Sequence, residues 1–379
     1  MDKRIDAVKG IAILSVVAYH SVLVMPSTWP AWRYAGLHLP QNTPPISYLI
    51  PSIQSVKDVI DASISVVSGF GYQGVNLFLI ASGLGLTLSF LRKGVKLPGW
   101  YGNRAKRILP MYWSSLAILF LLALYVQKVS PTSLVLPLVL QALGLHVFIP
   151  GFFQGFGLNS PVWFIGLLFQ FYLVFPWLVK LFKRWDPLPI FICSVVVTVF
   201  FRLLGLYYIN RFHSRFAEGV FFGCRLTEFV FGMCFAYQLR GGGQNWISTL
   251  SKFALPLYLS GILFHCFKFT SAASDTMMGV GLFLFLWNLV GCLPPVGLRA
   301  FAFPGRHSLG IFLFHFPFVL FMYELLRQTT IDNLYVRFFL VFVVCLVPGA
   351  MIDLCFPAIQ RKALDCSKWA PRRFRQSLS

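Results

Sequence analysis

Charge is what this sequence has least of. Only 12% of its 379 residues are Asp, Glu, Lys or Arg, while 57% are hydrophobic. Apolar runs such as 11–24 and 341–347 exceed what a soluble domain of this size buries, so a water-soluble fold is excluded. Carboxylates are scarcer than bases, 12 against 32, and the formal net charge is +20. In a soluble chain that balance would suggest nucleic acid. Here the bases gather in short loops between apolar runs, where anionic lipid attracts them, and nucleic acid is set aside. Metal-type cysteine spacing is also missing. The eight cysteines, at 193, 224, 234, 266, 292, 345, 355 and 366, lie singly with no Cys-x-x-Cys, and they read as small hydrophobes. No small-residue cleavage site follows 11–24, and His20 sits inside it, so that run reads as a first span and not as a signal peptide. No repeat of roughly 20 to 50 residues and no low-complexity tract interrupts the pattern. A single membrane domain over 1–379 is expected.

What is present suits a bilayer. There are 41 Phe and 10 Trp for lipid-facing surfaces and interfacial belts, and 30 Gly and 23 Pro that let helices pack closely or break. A span needs about 20 mostly apolar residues. That template places ten of them, at 11–27, 74–92, 108–126, 162–180, 188–209, 226–240, 251–268, 276–295, 308–326 and 335–356. The expected fold class is therefore an all-α integral membrane protein. Segment 132–149 is an eleventh candidate, and sidedness decides it. If it does not cross, most Lys and Arg in short loops fall on one side; if it does cross, the later loops swap sides and the bias is lost. A re-entrant or interfacial helix is predicted there. Both termini are then cytoplasmic, with a basic tail at 361–379. The loop region 28–73 is external, rich in Pro, with Trp29 and Trp32, and its stretch 55–67 is amphipathic enough for a short surface helix.

Ionisable groups inside spans are costly and need partners. Lys268 and Glu324 lie near span ends and can snorkel. His265, near an external end, reads as a solvated or capping imidazole. Arg225 and Glu228 are three apart, hence on one helix face, and can neutralise each other. Asp353 can pair with a basic end or with Arg202. His20 stands out, because it follows Lys9 by eleven residues and so lies ~16 Å deeper along a helix, about mid-bilayer. An imidazole at that depth either bonds to a backbone carbonyl or serves as a general base for a hydroxyl nucleophile.

The segment Lys9-Gly10-Ile11-Ala12-Ile13-Leu14-Ser15-Val16-Val17-Ala18-Tyr19-His20, preceded by Arg4 and Asp6, resembles the opening of the bacterial membrane acyltransferase-three family. Gly74-Val75-Asn76-Leu77-Phe78-Leu79-Ile80-Ala81-Ser82-Gly83 is similar to its second-span motif. Arg104-Ala105-Lys106-Arg107-Ile108-Leu109-Pro110-Met111-Tyr112 resembles its Arg-x-x-Arg-apolar-x-Pro-x-aromatic signature. Pro161-Val162-Trp163-Phe164 through Gln170-Phe171-Tyr172 and Pro176 resembles its Trp…Phe-Tyr…Pro span. Arg225…Phe229…Gly232 and Gly310…Phe314-His315-Phe316-Pro317 match two later motifs. The likeness runs in order from about residue 4 to 320. There are three departures: Lys9 stands where the family usually has Arg, Asn76 where Asp is common, and Leu168-Phe169 where many relatives carry a carboxylate.

The resemblance implies a membrane O-acyltransferase that moves an acyl group, usually acetyl, from acyl-CoA to a sugar hydroxyl of a surface polysaccharide or other glycosylated acceptor. His20 would be the general base. Lys9, Arg104 and Arg107 would bind the phosphates of the acyl donor, Lys9 as a point charge and not as a bidentate fork. Arg225, Glu228, Trp163 and Tyr172 would support the site, and His315 would either assist or pack at a Phe-His-Phe-Pro kink. No metal and no tightly bound cofactor is expected; acyl-CoA is a co-substrate, and the location implied is a bacterial inner membrane. The alternative is a transporter or exporter of a glycan or lipid-linked intermediate, in which buried charges line a path.

Overall fold

A computed structural model describes residues 3–23, 25, 55–93, 97–125, 128–150, 159–213, 215–241, 245–329 and 331–376. The described chain is helical, with no β-strand among the described residues. Its helices are α1 (Lys3–Leu23), α2 (Val56–Gly69), α3 (Gly74–Lys93), α4 (Leu97–Tyr125), α5 (Pro131–Ala142), α6 (Trp163–Arg184) and α7 (Pro187–Tyr207). They continue with α8 (Leu226–Leu239), α9 (Asn245–Lys252), α10 (Ala254–His265), α11 (Ser271–Gly291), α12 (Pro295–Arg306), α13 (Ser308–Arg327) and α14 (Leu334–Gln376). Each predicted span coincides with a helix. Eight of them, α1, α3, α4, α6, α7, α11, α13 and α14, are long and apolar enough to cross a bilayer. A ninth crossing is available if α9 and α10, bent by 70° at a short break, count as one broken span. The tenth, α8, has 14 residues and is preceded by a single turn at Phe222–Arg225.

Segment 132–149 forms α5, whose 12 residues reach only ~18 Å against a hydrocarbon core of ~30 Å. The expected re-entrant or interfacial helix therefore has the right length. The predicted surface helix is α2. Ser55 starts it through a capping box in which the Asp58 amide donates to the Ser55 hydroxyl at 3.2 Å and the Ser55 amide donates to the Asp58 carboxylate at 2.8 Å. The expected external cap over 28–54, with Trp29 and Trp32, lies outside the described residues, as do the side chains of the basic tail. The backbone of α14 runs on to Gln376.

Burial ranks the spans. Within its span window α1 is 72% buried, against 28% for α7 and 22% for α14, so α1 is central and the other two face lipid. Two reciprocal glycine crossings set this packing. A Cβ at Gly10 would strike the Phe301 carbonyl and one at Gly305 the Asp6 carbonyl, which pins α12 against the Lys9 end of α1. Likewise Gly83 abuts the Phe229 carbonyl and Gly232 the Ile80 carbonyl where α3 crosses α8. Small residues at crossings let backbones approach where lipid supplies no hydrophobic drive. Helix α12 is a short helix the span template did not find.

Candidate active site

Helix α1 carries His20 and helix α13 carries His315, and the two rings meet. His315 is fully buried. Its Nδ1 lies 2.8 Å from the Phe312 carbonyl and 3.2 Å from that of Ile311, while its Nε2 lies 3.2 Å from Nδ1 of His20. Carbonyl oxygens only accept, so in the neutral ring Nδ1 of His315 carries the proton and Nε2 presents a lone pair. Nδ1 of His20 faces that lone pair and, at 2.9 Å, the Val16 carbonyl. It must therefore be the protonated nitrogen of His20. Nε2 of His20 is left with a free lone pair, the atom a general base uses. Tyr19 and Phe316 flank the ring edge-on at 5.1 and 5.4 Å between centroids.

Pro317 shapes the same turn of α13. Having no N–H, it leaves the Leu313 carbonyl without its helical partner. The buried Asn159 side chain supplies one instead, its Nδ2 donating to Leu313 at 2.9 Å. The Phe-His-Phe-Pro turn thus carries the second imidazole and takes a hydrogen bond from outside its own helix.

On the Lys9 side of the pair lies a cavity of about 570 Å³. Phe78, Phe164, Leu168, Leu309 and Phe312 line its apolar part, and Lys9, Arg92, Arg104, Arg107 and Arg240 bring five cations to it. No Asp or Glu is among the lining residues. Lys9 lies 3.8 Å from Asp6, one turn back on its own helix. Arg104 stacks over the Trp100 ring at 5.7 Å, and Tyr172, also in the lining, meets Trp100 edge-on at 5.9 Å. The structure therefore brings Lys9, Arg104, Arg107 and Tyr172 together around one space. Trp163 is not among the lining residues; it opens α6 beside Phe164, 6.2 Å between centroids. Phe312 connects the cavity and the imidazole pair, since it is among the lining residues of the cavity and its carbonyl accepts from His315.

Arg225 and Glu228 belong to a separate buried network. Arg225 donates to Asn76 Oδ1 at 2.6 Å and to the Glu218 carbonyl at 3.0 and 2.6 Å, and it lies 3.1 Å from Asp275 and 3.5 Å from Glu228. Arg202 pairs with Asp275 and donates to the Ser271 carbonyl at 3.2 Å. Mutual neutralisation of Arg225 and Glu228 is thus only part of the arrangement. Asp353 does not pair with Arg202; it takes His307 at 2.7 Å, because α14 packs on α13 and not on α7. His265 reaches the Ser274 hydroxyl at 3.2 Å and is buried, not solvated. Asn76 fits its place well: with two arginines and two acids already balanced, its neutral amide accepts from Arg225 and donates to the Gln73 side chain at 2.5 Å. Gln170 secures the nearby turn by donating to the Val220 carbonyl at 2.8 Å and accepting from the Phe222 amide at 3.0 Å.

The span template missed Asp275, which stood one residue before a predicted boundary although α11 begins at Ser271. It also left Arg92 and Arg240 as the last residues of two spans, without a role in the site. Among the described residues no group of three His, Cys, Asp or Glu is placed to hold a metal ion.

Fold and site together define a multi-pass helical membrane protein with a paired imidazole and, toward the Lys9 end of the same α1 helix, a cation-lined cavity whose lining includes neither histidine. Residues 2–352 match the model of the acyltransferase-three family, described as an acyltransferase domain. The chain belongs to that family and is a membrane acyltransferase. Neither curated proteins nor solved structures give a match.

Proposed function

We propose that this protein is an O-acyltransferase that takes an acyl group, acetyl in the first instance, from acyl-CoA and places it on a sugar hydroxyl of a surface polysaccharide or glycosylated acceptor. The observation that carries this reading is the His315–His20 hydrogen bond, which leaves Nε2 of His20 with a free lone pair on the same helix as Lys9 of the cationic cavity. Lys9, Arg104 and Arg107 suit the phosphates of the donor, and the apolar stretch past Phe78 and Phe164 suits its pantetheine arm. Nε2 of His20 accepts the acceptor's hydroxyl proton as that oxygen attacks the thioester carbonyl. The carbon–sulfur bond breaks, and the imidazolium returns the proton to the leaving thiolate, so an ester and free CoA result. His315 acts as a positioning residue, since its lone pair faces the His20 N–H and steadies the imidazolium that forms. In this reading the cavity opens to the cytoplasm of a bacterial inner membrane and both termini lie on that side.

The test uses the full chain in nanodiscs, radiolabelled acetyl-CoA and envelope glycans extracted from the host. Ester-linked label on glycan with wild type, and none with His20→Ala at equal protein, is the expected result. Normal labelling by His20→Ala overturns the catalytic assignment. If label never reaches glycan while His20→Ala cells lose glycan export, transport replaces transfer.

A further inference from the structure

The five cations of the cavity are not equivalent. Lys9 and Arg104 are half-buried, whereas Arg92, Arg107 and Arg240 are exposed at its mouth. Arg92 stands next to the end of α3 and Arg240 caps the end of α8. Those two helices cross at the Gly83–Gly232 contact. Arg92 follows its glycine by nine residues and Arg240 by eight, so the two arrive at one level, ~12–14 Å beyond the crossing. Among the described residues neither has a carboxylate partner.

A cation at a helix C-terminus also complements the macrodipole and anchors to lipid headgroups. Arg184 at the end of α6 does so without lining the cavity. Arg92 and Arg240 differ in that both line the cavity, at the ends of two helices that pack closely at the glycine contact. The charge count points the same way. A phosphopantetheine arm on a carrier protein brings a single phosphodiester, for which Lys9, Arg104 and Arg107 are sufficient. Acyl-CoA brings a diphosphate and, further out on the ribose, a phosphomonoester.

Resting on the acyl-CoA reading above, we propose that Arg92 and Arg240 form an outer subsite for the donor's ribose 3′-phosphate, which makes this enzyme selective for nucleotide thioesters over carrier-protein thioesters. The half-buried Lys9 and Arg104, with Arg107 one helical turn from Arg104, hold the diphosphate. The outer pair grips the terminal phosphomonoester with charge-assisted hydrogen bonds.

Titration calorimetry on the full chain, in nanodiscs of neutral phosphatidylcholine, tests this with CoA and 3′-dephospho-CoA as probes. Wild type should bind CoA at least about tenfold more tightly than the dephospho form. Arg92→Gln and Arg240→Gln should each weaken CoA binding, and together they should erase the preference while dephospho-CoA affinity stays as in wild type. Arg184→Gln should alter neither affinity. A wild-type ratio near one overturns the subsite without recourse to any variant. So do variants that weaken both probes alike, as general electrostatics would, or neither, as lipid anchors would. If wild type binds neither probe, the donor assignment itself fails, and the subsite with it.

Discussion

Nε2 of His315 and Nδ1 of His20, 295 positions apart in sequence, share a 3.2 Å contact that fixes the tautomer of both rings. The carbonyls of Phe312 and Ile311 set the proton on one ring, and that ring sets it on the next. The tautomer of His20, on α1, is therefore set by the backbone of α13 acting through His315, together with the Val16 carbonyl of its own helix.

Replacing His20 by Ala removes the base, and kcat should fall about 10²–10⁴-fold with little change in donor KM. His315→Ala removes only the orienting partner and should cost less, about tenfold in kcat. Steady-state kinetics at several pH values would separate the roles. A loss for His315→Ala as large as that for His20→Ala would mean that His315 takes part directly.

Asp275 faces both Arg202 and Arg225 in the buried network. Asp275→Ala leaves two buried guanidinium groups short of their acid and should destabilise the protein by about 3–5 kcal/mol. Glu228→Gln, which loses only the 3.5 Å contact to Arg225, should cost clearly less. Thermal unfolding of both variants in detergent gives the comparison.

Gly10 and Gly305 leave no room for a Cβ against the facing backbone. Alanine at either position must push α1 and α12 apart, at about 1–3 kcal/mol as for other overpacked contacts. Melting temperature should drop for each variant. The double variant should cost less than the sum, because the first separation makes room for the second methyl.

Asn159 and Pro317 should be coupled. Asn159→Leu alone orphans the Leu313 carbonyl, a loss of about 1–3 kcal/mol. Pro317→Ala restores a backbone N–H that can reach the same carbonyl. A double-mutant cycle on thermal stability should then show Asn159→Leu to be milder in the Pro317→Ala background.

The sequence was readable where physics is local. Span positions and the amphipathic helix expected at 55–67 each follow from a contiguous stretch of residues, and the short helix within 132–149 followed from the sidedness of Lys and Arg along the chain. His20, Lys9, Arg104 and Arg107 could be singled out as candidates by depth along a helix and by resemblance. The His315–His20 contact, the Asp275 hub and the place of Arg92 and Arg240 in one cavity lining could not, because each depends on which helices become neighbours. The short α12 went unnoticed for a related reason: its place comes from two glycines facing backbone carbonyls, and a hydropathy window does not register close approach. The partner of Asp353 was left open between a basic end and Arg202 because charge alone, without packing, allowed several, and His307 was not among them.

Lys9 and His20 stand on one unbroken helix, eleven residues and so roughly three turns apart, which puts them on the same side of it. That stretch of α1 works as a ruler. With acyl-CoA as the donor proposed above and its phosphates held at Lys9, it would gauge the reach from those phosphates to the thioester with a rigid rod and not with loops, so the carbonyl would stop at the same height whatever acyl chain follows it. Selection among short and long acyl groups must then be made beyond His20, by whatever wall the tail of the chain meets.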